Sequence, residues 1–373
     1  MAIIRYAVFH PIRVAIVLLA GSVLGLGAFY AYQVQTALGA VAVEDFEPEI
    51  AREAIDEEPV AERSIVFVEP SVYPREAVPL DLVTQQRELA SVYDLNGYID
   101  PYELNPHAFG ELIEDEVFES YLLVGADTSG FLADTIILAL QPFSGGKPIM
   151  VSLPRDLYVW NICNNNFSRL NTGLGGCKGV ASGMEMLAIM VEDYTGIPID
   201  HVAKVSLSGF ASVVNAIGGT TICVDYPTRD IKAHLDIPAG CQWANGATTL
   251  AWVRSRHTEQ LKGEQWVQVA GSDYARQKRQ QDVLFQLAGR AAKFSSPASL
   301  STKLSAISSA IRLDSSWSLG SAVAVAWKYR GISKSGVSRF SISADGYRTP
   351  QGAAVLLPSE SFMTSLEAVT SLD

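Results

Sequence analysis

No lysine precedes Lys147 in this 373-residue chain, and basic side chains are scarce throughout. Only 28 Lys and Arg stand against 40 Asp and Glu, for a formal net charge of -12. A nucleic-acid binder needs a basic surface, so that class is disfavoured. Cysteine is confined to Cys163, Cys177, Cys223 and Cys241, and no two of them form a C-x-x-C pair, which argues against a zinc module. The chain also lacks a G-x-S-x-G element and an H-E-x-x-H element. A serine hydrolase and a zinc protease are therefore disfavoured.

Charge is missing altogether from Val14 to Val34, VAIVLLAGSVLGLGAFYAYQV. At ~1.5 Å per residue this stretch can cross a bilayer core of about 30 Å. Arg5 and Arg13 precede it, whereas Glu44, Asp45, Glu47 and Glu49 follow before Arg52. The charge asymmetry puts residues 1–13 in the cytoplasm, makes 14–34 a transmembrane anchor and places the rest outside the cell membrane. The rival reading is a cleaved signal peptide ending near Ala40-Val41-Ala42, but its apolar region would be unusually long. Four cysteines in an exterior domain suggest two disulfides. Three pairings are possible. The sequential one, Cys163–Cys177 and Cys223–Cys241, closes two short loops and is the one expected.

Residues 35–115 are acidic and proline-bearing. EDFEPEIAREAIDEEPVAER has little that could build a core, so this segment reads as an extracytoplasmic stalk with at most a short helix or strand pairing. From about residue 117 the pattern changes. SYLLVGAD, DTIILALQP and PIMVSLPRD read as buried strands. ASGMEMLAIMVEDYTG has helical periodicity through Met184, Leu187 and Met190 and stops at Gly196. HVAKVSLSG alternates as a strand, and GFASVVNAIGG reads as a helix closed by glycines. TTICVDYP and TLAWVRSRH read as strands. SDYARQKRQQDVLFQLAGRAAKF reads as a long helix with Ser272 or Asp273 as N-cap. Strands alternating with helices argue for an α/β layered domain with a central mixed sheet.

Arginine placement is more informative than net charge. Arg155 follows a strand. Arg254 and Arg256, one residue apart, share a face if AWVRSRH is a strand. Arg276, Arg279 and Gln280 have the i, i+3, i+4 spacing of one helix face. Arginines gathered in an acidic chain either pair with carboxylates on separate surfaces or bind a phosphate group through bidentate hydrogen bonds. Asp127 and Asp134 flank a glycine-containing turn. They are ordinary turn residues, or two carboxylates that hold a hard divalent cation together with phosphate oxygens. NTGLGGCKG lacks the G-K-[ST] of a P-loop and reads as a structural loop. His257 is a possible base but more simply a polar surface group.

The order of LLVGADTSGFLADTIIL, VSLPRDLYV, TGIPIDHVAKVSLSGFASVVNAIGGTTICV, AGCQWANGATTLAWVRSRH, SDYARQKRQQDVL and QGAAVLLPSE resembles the LytR–CpsA–Psr family over residues 117–362. The resemblance implies a three-layer α/β/α domain over 116–365, preceded by the anchor and followed by a tail, 366–373. It implies a membrane-anchored phosphotransferase that moves a glycopolymer from a polyprenyl-pyrophosphate carrier to peptidoglycan through a phosphodiester. Asp127 and Asp134 match the family's Mg²⁺-binding aspartates, for which Mn²⁺ is an alternative. Arg155, Arg254, Arg256, Arg276 and Gln280 match its pyrophosphate-binding set. Asp127, Arg155 and Asp273 are the candidate catalytic residues, with Asp127 or Asp273 as base; Arg279 belongs to the motif with no role implied. Where the family commonly carries arginines between the two aspartates, this chain has Ser129, Leu132 and Ala133. Two other readings stay open on these residues: a non-catalytic binder of lipid-linked glycan that regulates the envelope, and a pyrophosphatase that uses water as the nucleophile.

Overall fold

The computed structural model describes residues 35–36, 41–57, 117–164, 166–269, 272–291, 297–329, 332, 334–349 and 351–370. The proposed anchor at 14–34 lies outside them. Among the described residues no helix is long and apolar enough to cross a membrane.

In chain order the first elements are β1 (Ala42–Glu44), α1 (Pro48–Glu57), β2 (Phe118–Ala126), β3 (Ala133–Pro142), β4 (Ile149–Leu153), β5 (Tyr158–Asn161) and β6 (Asn166–Arg169). A 3-10 helix at Leu170–Gly175 follows, then α2 (Gly183–Thr195), β7 (His201–Val205), α3 (Leu207–Ile217), β8 (Thr220–Val224), β9 (Thr228–Asp230), β10 (Leu235–Ile237) and β11 (Gly240–Ala244). Next come α4 (Gly246–Arg254), β12 (Glu259–Lys262), β13 (Gln265–Gln268), α5 (Ser272–Ala291), α6 (Pro297–Ala310) and β14 (Ile311–Asp314). The last are α7 (Leu319–Lys328), β15 (Ser338–Ser341), β16 (Ala344–Arg348), β17 (Ala354–Pro358) and α8 (Phe362–Thr370).

Seven strands form one mixed sheet in the order β1-β14-β7-β2-β3-β4-β15. The β2–β3 and β3–β4 pairs are antiparallel, whereas β2–β7 and β4–β15 are parallel. The central strands are near-continuous apolar runs because both faces are covered. On one face Leu122, Val124, Ile136 and Leu138 pack with Met184, Leu187 and Val191 of α2 and with Phe362 of α8. Each of these large side chains contributes about 1.5–3 kcal/mol on burial. Helix α2 starts on a capping box, Ser182 with Glu185. It stops at Gly196, whose φ of 76° puts it in the left-handed region that favours glycine. On the opposite face, α3, α4 and α5 share Val213, Val214, Ile217, Val253, Val283 and Leu287. The α/β class and the central mixed sheet expected from sequence are both present.

Three readings bear comparison with the structure. First, the short helix and strand pairing allowed for the acidic stretch both form after residue 41. Strand β1 pairs in parallel with β14, and α1 buries Ala51 and Ile55 together with Phe46 before it. Arg52 ties the helix down through Asp193 at 2.6 Å and Glu192 at 3.1 Å. The i, i+4 apolar pair was masked by the acids around it. Second, TLAWVR belongs to helix α4, not to a strand, and Ser255, Arg256 and His257 follow on a turn past its end. Asn245 caps it, accepting from the Thr248 N–H at 2.9 Å, and Gly246 fits where a Cβ would stand 2.1 Å from the Ala211 carbonyl oxygen. Third, α5 starts at Ser272, so Ser272 and Asp273 occupy its first turn.

Both disulfides are the sequential ones, Cys163–Cys177 and Cys223–Cys241, with Cα–Cα distances of 5.6 and 4.0 Å. The glycine-rich stretch after Arg169 is structural. Its 3-10 helix packs on α2, and a Cβ on Gly173 would stand 3.0 Å from the Leu187 Cα.

Candidate functional site

Between the sheet and helices α3, α4 and α5 lies a cavity of about 360 Å³. Leu123 and Ile137 of the sheet face Phe210, Leu250, Val253 and Leu284 of the helices across it. Asp134, Arg155, Arg254, Arg256, Arg276 and Gln280 also line it. The sequence places these polar residues in four segments up to about 150 positions apart, and the fold brings them to one chamber. An apolar chamber with guanidiniums on its wall suits a ligand that is part hydrocarbon and part anion.

The β2–β3 hairpin delivers the aspartates. Its register shifts between Gly125, opposite Thr135, and Ala126, opposite Ala133. Asp134 is therefore the unopposed residue of a bulge, a device that re-aims a side chain. Asp127 organises the turn instead. Its Oδ1 accepts from Ser129 Oγ at 2.7 Å and from the N–H groups of Gly130, Ser129 and Leu132 at 2.9, 3.1 and 3.3 Å. Burial opposes its ionisation, but those four donors outweigh burial and hold the carboxyl below its ordinary pKa. Asp127 does not line the cavity, and its Oδ2 makes no hydrogen bond with the described residues.

The charged groups form an alternating chain. Asp134 pairs with Arg155, and Arg155 meets Asp156 at 3.4 Å. Asp156 meets Arg256 at 3.7 Å, Arg256 meets Asp273 at 3.4 Å, and Asp273 meets Arg276 at 3.0 Å. Burial works against the Arg155 charge, but Asp156 and Asp134 overcome it and raise its pKa. Arg276 is only 4 % exposed. Burial lowers its pKa; Asp273 opposes that shift, and Arg256 and Arg155 reinforce it. Its Nε is buried without a hydrogen-bond partner, and Arg254 is exposed with no ion pair among the described residues. Gln280 donates to the Val253 carbonyl at 3.2 Å, fixing the end of α4.

Asp273 bridges two arginines and, like Asp127, does not line the cavity. Arg279 is on α5 but turns away, giving its hydrogen bonds to the Ser255 carbonyl and, at 3.5 Å, Thr258 Oγ1. His257 is exposed, with Nε2 at 3.4 Å from Lys232 Nζ, outside the cavity lining. Sequence reasoning missed Asp156, although it directly follows Arg155. It also missed Asp230, which is buried behind the arginine-bearing turn and carries no motif.

Asp127 and Asp134 fit a hard cation better than a soft one. They offer carboxylate oxygen with no histidine or cysteine beside them. Among the described residues no group of three or more His, Cys, Asp or Glu gathers. Two carboxylates completed by water and ligand phosphate oxygens is a donor set suited to Mg²⁺.

Comparison with known proteins agrees with this architecture. The chain is 38% identical over 146 residues to the probable cell wall biosynthesis protein LcpB of Corynebacterium glutamicum, covering 39% of this chain and 33% of that protein. It is 28% identical over 191 residues to the polyisoprenyl-teichoic acid–peptidoglycan teichoic acid transferase TagU of Bacillus cereus, covering 50% and 57%. The chain thus spans between a third and less than two thirds of these curated relatives. The structure of a LytR-Csp2A-Psr enzyme from Actinomyces oris superposes with a TM-score of 0.56 at 23% identity, covering 69% of this chain and 92% of that one, and so shares the fold. A family model matches residues 107–369, and the chain belongs to the LytR_cpsA_psr family.

Proposed function

We propose that this protein is a phosphotransferase that takes a glycan from a polyprenyl-pyrophosphate carrier and joins it to peptidoglycan through a phosphodiester. The observation that carries the reading is the cavity itself, apolar along Leu123, Ile137, Phe210 and Leu284 and lined also by Arg155, Arg254, Arg256 and Arg276. A prenyl chain is matched by the first set and a pyrophosphate by the second. TagU, similar to this chain over half its length, is named for a transfer between the same classes of partner.

The chemistry needs no enzyme nucleophile. An acceptor hydroxyl attacks the phosphorus that bears the glycan and gives up its proton to solvent. The bond to the bridging oxygen breaks, and polyprenyl phosphate leaves as the phosphodiester forms. Catalysis then rests on positioning and on stabilising negative charge, both of which guanidiniums supply. Arg155 and Arg256 exchange their carboxylate partners for phosphate oxygens. Arg276 supplies the buried positive charge, and Arg254 is free to close on the outer phosphate. Asp273 sits between two guanidiniums and suits holding them in place better than taking a proton. Mg²⁺, or Mn²⁺, held by Asp127 and Asp134 with phosphate oxygens, would offset charge on the transferred group. The depressed pKa of Asp127 favours a ligand over a base. With residues 14–34 as an anchor, the domain acts on the outer face of the cell membrane, where its lipid substrate resides.

A second reading, a non-catalytic binder of the same lipid, is favoured by the turn between the aspartates. Ser129 there caps the turn, and Phe131 stands 67 % exposed where a phosphate-binding side chain would be useful. The test uses the full chain in detergent micelles with a short polyprenyl-pyrophosphate glycan, peptidoglycan oligomers and Mg²⁺, followed by mass spectrometry. A glycan–phosphate–peptidoglycan adduct, lost with EDTA and in Arg254→Ala, is expected. Free glycan phosphate in its place would indicate a pyrophosphatase, and binding with no product would favour the binder.

A further inference from the structure

Arg256 is the central guanidinium of the alternating chain, yet it sits on a turn past the end of a helix rather than within an element. Something must hold that turn. Asp230, at the end of β9 and 1 % exposed, spends both carboxylate oxygens there and on its own loop. Its Oδ2 accepts from Ser255 Oγ at 2.8 Å and from the N–H groups of Arg256 and His257 at 2.9 and 2.8 Å. Its Oδ1 accepts from the N–H groups of Lys232 and Ala233 at 3.0 and 3.1 Å. Backbone donors past a helix end need partners when buried, and a carboxylate is the strongest acceptor available to them.

The other side of the turn is held from α5. Arg279 donates to the Ser255 carbonyl and to Thr258 Oγ1, while its guanidinium carbon lies 4.7 Å over the Trp252 ring. Ser255 Oγ and Thr258 Oγ1 are 2.8 Å apart. Ser255 is thus gripped twice, through its hydroxyl by Asp230 and through its carbonyl by Arg279. Helical spacing alone would put Arg276 and Arg279 on one face toward one ligand. The structure divides them: Arg276 lines the cavity and Arg279 does not.

We propose that Arg279 and Asp230 are positioning residues that act through Arg256: they fix its turn from two sides, and neither contacts the ligand. The inference rests on the pyrophosphate-binding reading of the cavity. Burial, and next the neighbouring Arg276, press the Arg279 pKa down to about 10, so it remains protonated at neutral pH.

Titration calorimetry of the full chain in detergent micelles with farnesyl pyrophosphate tests this. Arg256→Ala and Arg279→Gln should each weaken binding roughly 10-fold, the scale of one charge-assisted hydrogen bond. Ser255→Ala, which removes one arm and should fold where Asp230→Asn fails to, should weaken it by about 3-fold. In an Arg256→Ala background neither change should matter further, because both act through a side chain already gone. Arg279→Lys should fail to restore affinity, since an ammonium cannot bridge Ser255 and Thr258 while stacking on Trp252. Additive losses in the double variants, full rescue by lysine, or an unchanged Arg279→Gln would each overturn the inference alone. A wild-type chain that binds no farnesyl pyrophosphate would overturn the functional reading, and this inference with it.

Discussion

Arginines stand on both sides of the central sheet, but in different electrostatic settings. On the α2 side Arg52 is a single guanidinium between two carboxylates, Glu192 and Asp193. On the cavity side Arg155, Arg256 and Arg276 share Asp134, Asp156 and Asp273, Arg254 has no ion pair among the described residues, and Arg279 stands behind them near Asp230. The first arrangement gives its one guanidinium two carboxylates and serves the fold. The second carries a surplus of positive charge in a chain whose net charge is -12. Arg254 has no carboxylate partner among the described residues, and Arg276 is buried beside Arg256 and Arg155, so this side suits an anionic ligand rather than a structural staple.

The contrast can be broken first on the α2 side. Arg52→Ala takes the guanidinium away from the buried Glu192 and Asp193 carboxylates, and removing one partner of such a cluster costs about 3–5 kcal/mol. The midpoint of urea unfolding should fall accordingly, while affinity for farnesyl pyrophosphate per folded molecule stays unchanged. A loss of affinity as large as that of stability would show that the two faces are coupled.

Arg276→Met should do the reverse. It relieves the repulsion from Arg256 and Arg155, and Asp273 keeps Arg256 as a partner, so thermal stability should hold. Binding of farnesyl pyrophosphate should fall by roughly 100-fold, as for truncation of a desolvated charge at an interface. A variant that is destabilised and still binds would place Arg276 with Arg52, as a structural residue.

The apolar chemistry of this division could be read in the sequence, and the direction of its charged side chains could not. The runs YLLV and TIIL announce buried strands because period and length agree, and Ser182 with Gly196 brackets α2 by local capping alone. Arg254 and Arg256 both line the cavity, but not through the alternation of a strand. WVRSR fits a strand's alternation as well as a helix end, and only the Asn245 cap, with Gly246 against Ala211, decides for the helix. Arg276 and Arg279 share a helical face by spacing, yet Ser255, reached through a turn from another helix, draws Arg279 aside. Asp156 and Asp230 matter through partners up to 100 residues away, a relation no local pattern records. The segment at 42–57 was obscured by its own acids, whose solvent-facing charge hid the buried Phe46, Ala51 and Ile55.

The smallest expected effect sharpens the comparison at the hairpin turn. Asp127 owes its low pKa to donors from its own turn, not to the arginines. Its folded pKa lies below the unfolded one, so its contribution to stability is present above about pH 4 and is lost as pH falls through the folded value. Ser129→Ala removes the hydroxyl donor and should move the Asp127 pKa up toward the ordinary range. The accompanying loss of stability at neutral pH should be about 0.5 kcal/mol, small because the turn is exposed. Carboxyl ¹³C chemical shifts followed against pH would measure the shift directly, and the acid limb of thermal unfolding would show its cost. If Ser129→Ala left the Asp127 titration in place while Arg155→Gln raised it, the two aspartates would belong to one electrostatic unit with the arginines. The turn would then be part of the anion site rather than a separately organised support for a cation.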